Sequence, residues 1–143
     1  MNATSKQLPV ASGLFTWPSD DPRLIASRCK ICGDVFFPTT DFCANPNCSG
    51  TKTEEILLSK RGKLYSYTIQ YYQPPKPFVP AEPFVPFGIG LVELPEGIRI
   101  LGQMAYCNPE KDLKLGMDVE TIIEVLDKDA QGNEYFAWKF RPV

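Results

Sequence analysis

Histidine is absent from this 143-residue chain. Its absence removes the imidazole on which most general-base catalysis and most serine or cysteine hydrolysis depends, so a partner chain would have to supply such a base. Charge of one sign is also scarce. Fifteen Lys and Arg stand against seventeen Asp and Glu, a formal net charge of −2 with a pI near 5.2. A general nucleic-acid binder carries a basic stripe and a high pI, and this balance argues against one. No run approaches the roughly 20 apolar residues that cross a bilayer. The opening Met1 to Gly13, MNATSKQLPVASG, lacks the continuous apolar stretch of a secretory signal. No Walker, G-x-S-x-G or G-x-G-x-x-G pattern occurs, and Gly88-Ile89-Gly90 reads as a strand with close neighbours rather than a phosphate loop. These absences leave one ordinary domain, or one small domain plus a metal module, expected in the cytoplasm.

Cysteine is what the chain does have, in a pattern. Cys29 and Cys32 form a C-x2-C pair and Cys43 and Cys48 a C-x4-C pair, in LIASRCKICGDVFFPTTDFCANPNCSG. Four thiolates at such spacings close the tetrahedral shell of one zinc ion and leave no position for water or substrate, so the site holds structure and does not catalyse. Gly33 and Gly50 follow the two pairs, where a residue without Cβ lets backbone amides turn toward the sulfurs. The same four thiolates would also accept iron, and a reducing compartment disfavours disulfides. Zinc, one structural ion, is the reading adopted.

Residues 1–23 read as an N-terminal tail and lead-in, disordered to about Ser12 or ordered only on a partner. Residues 24–52 read as the zinc ribbon and 53–143 as a barrel. After Gly50 the pattern turns to period-two alternation, placing Tyr65, Tyr67, Ile69 and Tyr71 on one strand face and Leu64, Ser66, Thr68 and Gln70 on the other. Further strands are predicted at about Thr53–Leu58, Phe87–Leu94, Ile98–Met104, Asp118–Asp127 and Glu134–Arg141, with turns at Lys60-Arg61-Gly62, Pro95-Glu96-Gly97, Leu115-Gly116 and Ala130-Gln131-Gly132-Asn133. About five or six glycine-punctuated strands fit a small antiparallel barrel, most simply an OB-fold. The fold class is therefore mainly β, a rubredoxin-like ribbon followed by a five- to six-stranded OB barrel. In the last strand Phe136, Trp138 and Phe140 alternate with polar or small residues and can plug it.

Gln73 to Phe87, QPPKPFVPAEPFVPF, fits no strand, because proline removes ladder donors. Its Phe78, Val79, Phe84, Val85 and Phe87 either anchor another protein from a stiff scaffold, at low entropic cost, or fold back to cap the barrel. Lys60, Arg61 and Lys63 form a basic turn, which either meets the phosphates of a ligand such as coenzyme A or is simply solvated. Cys107 is the one thiol outside the two pairs. With no histidine to activate it, it reads as a small buried hydrophobe rather than a nucleophile. No catalytic residue is expected in the chain. The competing reading is a single-stranded nucleic-acid binder whose exposed tyrosines stack bases.

The ribbon motif Cys-Lys-Ile-Cys-Gly with Phe36-Phe37-Pro38, then Gly62-Lys63-Leu64-Tyr65-Ser66-Tyr67-Thr68, then Leu115-Gly116-Met117-Asp118-Val119 resemble one family. It is the rubredoxin-like zinc-ribbon/OB-fold acyl-CoA-associated family, domain of unknown function 35. The resemblance spans about Leu24 to Val143, and departs from the family only in the second pair, C-x4-C where C-x2-C is usual. It implies a non-catalytic partner of a thiolase-fold enzyme in a hetero-oligomer, performing Claisen cleavage or condensation with acyl-CoA at or near the shared interface. It leans toward the small subunits of benzoylsuccinyl-CoA thiolases of anaerobic toluene breakdown. Partners of steroid side-chain aldolases and of archaeal acetoacetyl-CoA thiolases are rivals.

Overall fold

The computed structural model describes residues 6–48, 50, 52–72 and 84–143. Among them the chain forms strands and turns and no helix, so none is long and apolar enough to cross a membrane. The strands are β1 (Gln7–Pro9), β2 (Ile25–Cys29), β3 (Val35–Phe36), β4 (Thr53–Leu57), β5 (Arg61–Gln70), β6 (Phe87–Glu93), β7 (Arg99–Met104), β8 (Asp118–Lys128) and β9 (Glu134–Pro142). β5 to β9 run β9-β7-β6-β5-β8, and β8 pairs again with β9 to close the barrel. β3-β2-β4 form a second, three-stranded sheet. Thr53–Leu57, assigned from sequence to the barrel, thus pairs along the whole of β2 in the ribbon's sheet.

Three glycines let the barrel close tightly. A Cβ on Gly90 would stand 2.7 Å from Met104 Sδ and 2.8 Å from Leu64 Cδ1, and one on Gly102 would stand 2.7 Å from the Phe140 ring. Gly88 would meet Leu113 at the same distance. The interior is filled by large side chains from neighbouring strands, and glycine opposite them leaves the room they need.

Three expectations change. The alternation along β5 breaks, because Leu64 pairs with Val92 and Ser66 with Leu91, leaving Tyr65 as the extra residue of a bulge. Tyr67 lies opposite Gly90, on the strand face of Leu64; it stays 37% exposed, and its hydroxyl donates to the Leu113 carbonyl at 3.3 Å. Tyr65 and Tyr67 therefore do not share a face, and strict period-two counting cannot foresee the inserted residue. The basic turn is mostly strand, since Arg61, Gly62 and Lys63 pair with Glu120, Val119 and Asp118. The tail is not structureless either. Gln7–Pro9 joins β9 as a parallel strand, Asn133 Oδ1 accepts from the Lys6 amide, and the Trp17 indole donates to Gln7 O.

One apolar core serves ribbon and barrel together. Phe15, Leu24, Ala26 and Leu58 pack with Leu64, Val92, Ile100, Met104, Val119 and Phe140, all nearly or fully buried. Trp17 stacks on Phe136 at 4.7 Å, and Phe37 of the ribbon meets Trp138 of β9 edge-to-face at 5.2 Å. Such aromatic pairs add roughly 0.5–1.5 kcal/mol beyond area burial, which favours one fixed arrangement of ribbon on barrel.

Candidate metal centre and neighbouring surfaces

The ribbon brings all four paired cysteines together. Their sulfurs lie within 4.8 Å of one another, with Cys29 to Cys48 at 3.8 Å and Cys32 to Cys43 at 3.6 Å. A tetrahedron with bonds of about 2.3 Å has edges of about 3.8 Å, whereas a disulfide would need about 2.05 Å. The donor set therefore fits one four-coordinate zinc ion.

Backbone amides prepare the sulfurs for negative charge. The Ile31 and Cys32 N–H groups donate to Cys29 Sγ at 3.4 and 3.5 Å, Asn45 N–H to Cys43 Sγ at 3.4 Å, and Gly50 N–H to Cys48 Sγ at 3.3 Å. The Cys32 and Ile31 amides bring the Cys29 thiol down to about 6, while burial pushes the Cys43 thiol up to about 12. Ligation must therefore drive a proton off Cys43, which couples metal affinity to pH.

The four residues between Cys43 and Cys48 are held by a turn in which Cys48 N–H donates to Asn45 O, and Asn45 Nδ2 donates to Asp34 beside the first pair. The longer spacing is thus absorbed as a turn tied back to the first knuckle. Three residues before Cys43, Thr40 is clamped: its N–H donates to Ser27 Oγ at 2.8 Å, and its carbonyl accepts from Ser27 Oγ and Thr53 Oγ1. These contacts run from the metal loop through β2 and β4 toward the shared core. With four sulfurs closing the shell, the bound ion would supply rigidity and no open position for chemistry.

The other sequence-derived residues fall elsewhere. Lys60 is 2.8 Å from Asp21, Lys63 is 2.5 Å from Asp118, and Arg61 is 3.9 Å from Glu120. The Lys60 ammonium holds Asp21 below the usual carboxylate range, and Lys63 does the same to Asp118. Of the three cations, Arg61 has the longest pair and a side chain 69% exposed. Phe84 packs edge-to-face on Phe87 at 6.1 Å while Val85 is exposed. Phe78 and Val79 lie outside the described residues. Cys107 is half-buried, and burial raises its thiol. Sequence reading missed the contact of Phe37 with Trp138 and the Thr40 clamp, because both join residues that no local pattern links.

The two structural units match two family models in order. The ChsH2 rubredoxin-like zinc ribbon domain matches residues 17–54, and the ChsH2 C-terminal OB-fold domain matches residues 55–123. The chain is 41% identical over 122 residues to a DUF35 domain-containing scaffold protein of Methanocaldococcus jannaschii, covering 84% of this chain and 82% of that protein. It is 30% identical over 132 residues to the benzoylsuccinyl-CoA thiolase subunit BbsA of Thauera aromatica, covering 91% of this chain and 85% of that one. Among solved structures it resembles a chain of the Ltp2-ChsH2(DUF35) aldolase, with a TM-score of 0.61, 28% identity and 84% of each chain covered.

Proposed function

Because this chain belongs to the DUF35 family of paired zinc-ribbon and OB-fold domains, we propose that it is a non-catalytic, zinc-holding accessory subunit of an enzyme acting on acyl-CoA. Its catalytic partner would be a thiolase-fold protein performing Claisen cleavage or condensation. The observation that carries this reading is the match over 84% of both chains to a component of a solved aldolase assembly. The site supports it: four sulfurs saturate a zinc ion, and the chain has no histidine with which to act as a base. Benzoylsuccinyl-CoA is one substrate within this reading. Identity is higher to the scaffold protein, 41% against 30% for the thiolase subunit, so the proposal commits to the partner's fold rather than to that acyl group.

Within the proposal, Phe84, Val85 and Phe87, with Phe78 and Val79 of the same proline-rich segment, anchor the partner. Arg61, the most loosely paired cation of the basic turn, meets a CoA phosphate at the shared interface. Affinity purification of the tagged chain from its native cells, followed by mass spectrometry and a thiolysis assay on whatever stays bound, tests the reading. A stoichiometric thiolase-fold protein whose activity falls when the chain is stripped away supports it. A chain that emerges alone, with no effect on any co-purified acyl-CoA activity, refutes it.

A further inference from the structure

The barrel wall is unevenly sealed. β6 and β7 pair at six positions and β8 and β9 at nine, but among the described residues β7 and β9 pair only at Met104 and Phe140. Away from that point the two strands are spanned by a side chain instead of a ladder, with the Trp138 indole N–H donating to the Leu101 carbonyl at 2.9 Å. The split leaves a cleft of about 420 Å³, walled by Val10, Leu14, Ile89, Leu101, Leu126 and Trp138. Small-molecule sites are mostly apolar and occupy roughly 300–1,000 Å³, so size and lining both suit a ligand.

The cleft's polar groups say which kind. Gln103 and Lys139 also line it. The Lys139 side chain is only 18% exposed, and its carboxylate partner Glu124 stands at 3.8 Å, against 2.5–3.0 Å for the direct pairs of Lys63, Lys60 and Arg99. The other Glu124 oxygen is engaged by the Tyr106 hydroxyl. An apolar cleft bordered by a lysine whose carboxylate partner is a long 3.8 Å away, and by a glutamine side chain, is complementary to an apolar body with an anionic head.

We infer that the β7–β9 cleft binds an apolar chain ending in a carboxylate, the chain lying against Leu14, Ile89 and Trp138 and the carboxylate meeting Lys139 with the Gln103 amide beside it. This site is distinct from the metal centre and from the surfaces assigned to the catalytic partner, apart from Phe87, which lies at its edge.

Calorimetric titration of the zinc-loaded full chain with decanoate tests it. Saturable one-to-one binding is expected, with octanoate about fifteen-fold weaker, since two methylenes carry about 1.6 kcal/mol. Decanoate should be preferred over 1-decanol, and Lys139→Met should abolish that preference. Leu101→Gln, at a position 60% exposed and so tolerated by the fold, should weaken decanoate at least tenfold, and Ala137→Phe should fill the cleft. No saturable binding, equal affinity for the two chain lengths, or undiminished binding by both Leu101→Gln and Ala137→Phe overturns the inference. Loss of partner capture in Leu101→Gln with no decanoate binding by the parent chain would make the cleft a protein-docking groove. That outcome overturns the inference and leaves the accessory-subunit reading standing.

Discussion

Gly50 offers the sharpest test of how the fold builds its metal centre. Its φ lies outside the left-handed region, so alanine costs nothing in backbone conformation, yet the added Cβ would stand 2.8 Å from Cys29 Sγ and 3.2 Å from Cys48 Sγ. To reach the 3.4 Å at which contact becomes ordinary, Cys29 Sγ must retreat by about 0.6 Å (3.4 − 2.8). Metal–ligand distances hold to about ±0.2 Å, so the sulfur cannot retreat without leaving the coordination sphere or dragging its knuckle along. Overpacking of this kind costs roughly 1–3 kcal/mol. At 1.4 kcal/mol per tenfold, Gly50→Ala should weaken zinc by about 5- to 150-fold. Competition against a chromophoric chelator measures the affinity, and the absorption of the cobalt-substituted protein reports whether the site stays tetrahedral. Gly33→Ala is the control, because Gly33 has φ +80° and nothing within 4 Å of a Cβ. It should cost about 1–2 kcal/mol of stability through backbone strain while leaving the cobalt spectrum unchanged. Wild-type zinc affinity and spectrum in Gly50→Ala would refute the claim that this glycine makes room for the sulfurs.

Cys43→Ser should abolish stoichiometric zinc and, because binding energy here is folding energy, unfold the ribbon, as read by metal analysis and near-UV circular dichroism. Phe37→Ala removes the ring lying edge-to-face on Trp138 at 5.2 Å. It should cost about 2 kcal/mol, below the roughly 3–5 kcal/mol of a fully buried phenylalanine, and shift tryptophan emission while zinc stays bound. The Asn133 side chain, with its backbone amide and the Tyr135 hydroxyl, holds the Asp129 carboxyl below its ordinary range. A depressed folded-state value stabilises above the unfolded value near 3.9 and is lost as pH falls through the folded one, so Asp129→Asn should be less stable at neutral pH with a flatter acid limb in denaturant melts. Gly62→Ala would bring a Cβ to 2.5 Å from the Glu93 carbonyl, and should lower the melting temperature by several degrees without changing zinc content.

The metal centre is legible in the amino-acid order because its determinants are local. Cys29, Cys32, Cys43 and Cys48 lie within 20 residues of one another, and the chemistry of four thiolates leaves few alternatives. The barrel strands are legible for a related reason. Alternation and glycine turns place β6 to β9 within one or two residues of where they fall, since each half-buried strand must show two different faces. Pairing between distant segments is not legible. β1 adds to β9 through contacts such as Lys6 with Asn133, 127 residues apart, and a three-residue strand has no period to detect. The Tyr65 bulge inverts half of β5 by inserting one residue that has no opposite number on the partner strand, and local alternation carries no sign of it. The sequence by itself determined a zinc-sized cysteine cluster, a barrel and the lack of an imidazole base, because each follows from residue type and short-range spacing. Tertiary structure alone decided the setting of Phe37 on Trp138, the room around Gly50 and the cleft between β7 and β9, because these depend on distances between segments that local pattern does not encode.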